Sequence, residues 1–211
     1  MNIFALSRNP QEAALEMLDK HIVKMPTETC QMLHTNVLYF DYIEHYGEEP
    51  TLAQVKQFHR DINSKLMKPA MLNHPSTIWA RQNPHNTRWL YEHGKALCEE
   101  YTYRYGKVHG SQSRILDIAY TIDEDSNWSF ATPVTIAMDD KYRLVKDNRI
   151  PDWDFVINSY RHYYLQGKWR FAEWRANRMP AWWPKDHYKN KYNEGIDNYN
   201  KRWNAKLERL E

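Results

Sequence analysis

Residues 18–28 read LDKHIVKMPTE, and in that stretch Asp19, Lys20, His21, Lys24 and Glu28 set carboxylates, an imidazole and amines close together. His21 and Glu28 are seven residues apart, so an unbroken helix would hold them two turns apart on one side. A carboxylate and an imidazole so placed could share acid–base work with a nearby amine. The alternative is structural: a hydrogen-bonded core histidine, and a glutamate at the positive end of a helix, favoured there by a few tenths to about 1 kcal/mol.

Three further clusters carry chemistry-bearing side chains. NHPSTIWARQNPHN (73–86) holds His74, Trp79, Arg81 and His85 on an expected loop before a helix, where binding groups gather. EEYTYRYGKVH (99–109) ends a helix with Tyr103, Arg104, Lys107 and His109. These cations suit either the negative end of a helix dipole or phosphate, with tyrosine rings free to stack on bases. YRHYYLQGKWRFAEWRANR (160–178) alternates rings with Lys and Arg, as a nucleic-acid surface or an aromatic core would. Neither His21 with Glu28 nor His74 with His85 has the short spacing of a zinc site, so no metal is expected. With six glycines and no phosphate loop, dinucleotide fingerprint or nucleophile elbow, kinases and dehydrogenases are poor candidates, and no organic cofactor is expected.

A mainly α frame must position these groups. The chain has 211 residues, nine tryptophans, fifteen tyrosines and a net charge of +2, so it folds around a real core without a global positive field. Asn9-Pro10 and Asn83-Pro84 each pair a capping asparagine with proline at the first helical position. The first predicts a helix from about 10 to 24 with His21 facing inward, interrupted at Pro26 and resumed to Gly47. The second predicts a helix from Pro84 to Tyr105, closed by Gly106. Residues 51–68 form a weakly amphipathic helix or helical loop, 110–150 is mostly loop with a strand-like VTIAM, 153–165 is helical, and 187–211 is a surface helix or extension. Cys30 and Cys98 fall in apolar helical patterns and are expected as reduced core thiols. No run of about eighteen apolar residues and no signal-peptide layout occurs, which predicts a cytoplasmic protein without a membrane span.

LDKHIVKMPTETCQML resembles the segment around the catalytic glutamate of the pyrimidine-dimer DNA glycosylases, the family of the phage endonuclease V. There an Asp-x-His pair precedes the glutamate, which follows the aspartate by nine residues, as Glu28 follows Asp19. Asn73-His74-Pro75 with Trp79, and Glu100-Tyr101 with Gly106-Lys107, are similar to a second block of bacterial members. The resemblance implies a divergent viral or bacterial glycosylase with associated AP lyase activity on a damaged or modified pyrimidine, needing no cofactor and acting on duplex DNA with a flipped nucleotide. Its nucleophile is an N-terminal α-amine, which leaves far more free amine at neutral pH than a lysine. That amine falls to Met1 or Asn2, with Glu28 assisting the sugar and the elimination and His21 positioning. Lys20 and Lys24, with His74, Trp79, Arg81, Tyr103, Arg104, Lys107 and His109, are the implied DNA contacts.

Two departures stand out: the family's arginines flanking the glutamate correspond to Thr27 and Gln31, and the bulky Asn2 disfavours removal of Met1. The implied division is a glycosylase-like core over 1–109 and an aromatic, basic extension over 110–211. Two other readings stay open: the same fold redirected to another glycosidic or base-modifying reaction without the amine, and a non-catalytic nucleic-acid-binding protein.

Overall fold

The computed structural model describes residues 1–184; the expected helix or extension at 187–211 lies outside them. Helices α1 (Pro10–Leu15), α2 (Asp19–Tyr46), α3 (Leu52–Asp61), α4 (Pro75–Arg81), α5 (Pro84–Tyr105), α6 (Gln112–Leu116) and α7 (Asp152–Tyr163) make the fold mainly α. Among the described residues there is no strand, so VTIAM (134–138) is irregular chain, with Val134 buried in the core. The expected caps are present: Asn9 Oδ1 accepts from the amides of Gln11 and Glu12, and Asn83 Oδ1 from that of Asn86. Gly47 and Gly106 end α2 and α5 at φ 74° and 63°, the left-handed backbone that favours glycine.

Two helix boundaries differ from the sequence expectation. The chain breaks at 16–18, not at Pro26, and α2 then runs through Pro26 without interruption. Carbonyl groups 15–17 explain the break, because each has a tertiary donor. Arg104 donates to Leu15 and Met17, and Trp174 Nε1 to Glu16 at 2.9 Å. Pro26 is tolerated because Ile22, Met25, Pro26 and Cys30 are all buried, so packing outweighs one missing backbone hydrogen bond. Residues 75–81, expected as loop, form α4 behind an unusual N-cap: His74 Nδ1 accepts from the Ser76 amide at 3.2 Å.

α2 and α5 cross at the centre, with α1 on α5 and α4 on α2. A Cβ added at Gly94 would stand 2.8 Å from Thr29 Cγ2, so the glycine sets how closely the two helices approach. The core around them takes in Ile3, Ala5, Leu6, Met17, Trp89, Ile115, Tyr160 and Tyr164, all fully buried. A smaller cluster of Leu38, Tyr39, Tyr42, Val55, Phe58 and Leu72 joins the end of α2 to α3. Cys30 and Cys98 are free and buried, and burial pushes both thiols up to about 12. No helix of the described residues is long and apolar enough to cross a membrane.

His93 is fully buried against Trp89, its two ring nitrogens without a hydrogen-bond partner among the described residues, and burial lowers its pKa to about 3. Between that value and the ordinary 6.5 the unfolded chain binds the extra proton, so acidification through this window costs stability. His93→Phe, which keeps the stack and cannot protonate, should flatten the loss of thermal stability between pH 6.5 and pH 4. Gly94→Ala should cost about 1–3 kcal/mol in urea unfolding. The added Thr29→Ser change, which removes the clashing methyl, should recover most of that loss.

Candidate active site at the chain start

The first six residues do not trail on the surface. Ile3, Ala5 and Leu6 are completely buried, and Phe4 takes a positive φ of 54°. Asn2 makes that bend possible: its Oδ1 accepts from the amides of Ile3 (2.8 Å) and Phe4 (3.3 Å), while its Nδ2 donates to the Ala137 carbonyl at 2.6 Å. The Phe4 ring stacks on His21 at 4.1 Å, and His21 Nδ1 lies 2.6 Å from the Tyr164 hydroxyl. Burial, then the charges of Lys168 and Lys24, lowers the His21 pKa to about 3. A neutral imidazole wedged between Phe4 and Tyr164 holds the chain start in place.

Glu28 meets this pinned segment. Its Oε2 accepts from the Asn2 amide at 3.1 Å and lies 4.0 Å from the Met1 amine, while Lys24 Nζ is 2.8 Å from Oε1. Thr77 Oγ1 donates to Met1 Sδ at 3.8 Å, which lays the Met1 side chain on the first turn of α4. His74 belongs to the same group: burial and then the N-terminal charge lower its pKa, and Glu28 pulls the other way. A carboxylate thus stands against the first nitrogens of the chain, with an imidazole and an exposed lysine beside them. Such a carboxylate can orient an amine, take its proton and return it.

Of the residues named from sequence, Met1, Asn2, Lys24, Glu28 and His74 come together, with His21 behind them. Others are corrected. Trp79 is 1% exposed and its Nε1 donates to Thr132, so it is core and not a DNA contact. Arg104 donates to Asp19 (3.0 Å), Glu100 (2.6 Å) and the carbonyls of Leu15 and Met17, and its completely buried side chain is out of reach of a phosphate. Both nitrogens of His109 are engaged, Nε2 with the Val23 carbonyl and Nδ1 with the Ser111 amide. Arg81 donates to the Leu72 carbonyl and lies on Tyr39. It lines a cavity of about 500 Å³ that includes none of the residues around Glu28.

Lys20, Lys107 and Tyr103 are exposed. Lys20 lies over Phe171, and Arg178 covers one face of Tyr103 at 4.1 Å. Sequence reasoning missed Phe4, Thr77, Ala137 and Tyr164; only the apolar MNIF start hinted at Phe4. Among the described residues no three His, Cys, Asp or Glu side chains assemble for a metal ion.

Comparison with known families decides the identity of this arrangement. The sequence profile of the pyrimidine dimer DNA glycosylases matches residues 1–112, more than half of the chain. The chain belongs to that family. No curated protein and no solved structure matches it. Membership makes it a DNA glycosylase, and Glu28, Asn2, Met1 and His74 all fall inside the matched span.

The Arg104 network is the test of the frame. Arg104→Ala takes the buried cation from between Asp19 and Glu100 and leaves them only Arg175 and Arg178, so it should cost about 3 kcal/mol in urea unfolding.

Proposed function

We propose that this DNA glycosylase removes a damaged or modified pyrimidine from duplex DNA and then cuts the strand as an AP lyase, with the chain's own α-amine as nucleophile. The observation that supports this most is the approach of Glu28 Oε2 to the first two nitrogens, 3.1 Å to Asn2 and 4.0 Å to Met1. In a chain starting at Met1 the free amine is that of Met1; were Met1 removed, the Asn2 nitrogen would become the amine beside the carboxylate. The amine adds to C1′ of a nucleotide flipped from the duplex, and the glycosidic C–N bond breaks with its electron pair leaving on the base. Loss of the amine proton and opening of the sugar give an imine. Glu28 then takes a proton from C2′, and the 3′ phosphate leaves by β-elimination. His21 positions through Phe4, and Lys24 holds Oε1 of the carboxylate.

A second reading rests on one feature: the nitrogen that bonds Glu28 is a peptide amide in the chain as it stands. Glu28 would then activate water for hydrolysis of a glycosidic bond without a covalent intermediate. Borohydride trapping on duplexes carrying a cyclobutane pyrimidine dimer or an abasic site separates the two. The amine reaction predicts an adduct that mass spectrometry maps to the first residue and that disappears when the terminus is extended or acetylated. Glu28→Gln should lower strand cleavage by at least about a hundredfold while the chain stays folded. Turnover without an adduct, still abolished in Glu28→Gln, would establish the hydrolytic reaction instead.

A further inference from the structure

A line of cations leads away from Glu28, and its far half comes from residues beyond the matched profile. Lys20, Lys24 and Glu28 follow at steps of four, which places them on one face of α2 about 6 Å apart along its axis. Lys24 is 68% exposed in its side chain. At Lys20 the surface passes to the C-terminal part of the chain through one ring. Lys20 Nζ lies 4.7 Å and Lys168 Nζ 5.8 Å from the centroid of Phe171. Lys168 also rests on Tyr163 at 4.6 Å, and the exposed Arg170 lies 5.3 Å from Trp169.

Pairing separates these cations from their neighbours. Arg175 is bound to Asp19 and Arg178 to Glu100. Among the described residues, Lys20, Lys168 and Arg170 have no carboxylate within ion-pair distance. Glu173, the acidic residue of the segment, is exposed and uses its backbone carbonyl on the Asp19 amide. Aromatic faces therefore fix where Lys20, Lys168 and Arg170 stand while leaving their charge uncompensated and their N–H groups free. The same segment divides its residues by burial: Tyr160 and Tyr164 are core, while beyond them Lys168 is half-buried and Arg170 exposed.

We propose that Lys168 and Arg170, continuing the line of Lys20 and Lys24, bind the backbone phosphates of duplex DNA beside the nucleotide held at Glu28. The inference rests on the proposed reaction for its substrate, and it gives the segment after α7 the task of docking the duplex. These contacts carry no base information and act through charge, so their signature is salt dependence.

The test is fluorescence anisotropy of an undamaged duplex over a series of salt concentrations. The Lys168→Ala/Arg170→Ala double variant should lower the slope of log K against log salt by about two and weaken binding roughly tenfold. Arg170→Ala alone should lower the slope by about one, and Lys168→Arg, which keeps the charge, should leave it at the wild-type value. An unchanged slope in a double variant with wild-type thermal stability would overturn the proposal. Because the duplex is undamaged and never cut, a failure to trap an imine would sink the proposed reaction and leave this measurement standing. A slope unaffected by the substitutions would sink the surface and leave the trapping result untouched.

Discussion

Everything at the site depends on the burial of residues 3–6. An α-amine at the end of a chain has the freedom of every bond before the first packed residue, and ordering that much backbone costs about 1–2 kcal/mol per residue. Ile3, Ala5 and Leu6 are sunk completely in the core, which leaves only Met1 and Asn2 to be ordered by local contacts. Asn2 spends its amide N–H and both side-chain polar atoms on that task, and Thr77 steadies the Met1 side chain. The carboxylate of Glu28 therefore meets a prearranged terminus. His21 contributes from below as a neutral, apolar-stacked imidazole.

Arg104 fixes the other half of the geometry. By taking the carbonyls of Leu15 and Met17 and the carboxylate of Asp19, it ends α1, starts α2 and ties both to α5. The start of α2 sets the angular position of each later residue, so the directions of His21, Lys24 and Glu28 follow from where that helix begins. A buried ion cluster of this kind is a weak source of net stability and a strong constraint on arrangement, since moving Arg104 away would leave its own charge and two carboxylates poorly paired in the interior.

Residues after the matched profile are not spectators at the site. The Ala137 carbonyl holds Asn2, Tyr164 holds His21, and Tyr160, Tyr163 and Tyr164 surround Phe4. The region matching the family carries Met1, Asn2, His21 and Glu28, and the chain beyond it supplies the wall that keeps them in place. Several cations there are partly neutralised by Asp19 and Glu100, which sharpens the contrast with Lys168 and Arg170.

The sequence by itself determined the helical class, the capped starts at Pro10 and Pro84, the glycine stops, and Glu28 with His21 as the center of interest. Those features are local: a capping side chain, a left-handed glycine or a seven-residue spacing acts within a few turns of its own helix. Tertiary structure alone decided where α1 breaks, because the donors to its carbonyls come from Arg104 and Trp174, far along the chain. It also turned Trp79 and Arg104 from surface candidates into interior partners and spent His109 on backbone groups, since a cation or ring at the end of a helix has the same sequence signature whether it faces water or the rest of the protein. Which nitrogen approaches Glu28 was likewise invisible in the sequence. That distance is set by Phe4 packing on Tyr160, Tyr163 and Tyr164 and by Asn2 bonding Ala137, all more than a hundred positions away, and no local spacing encodes it.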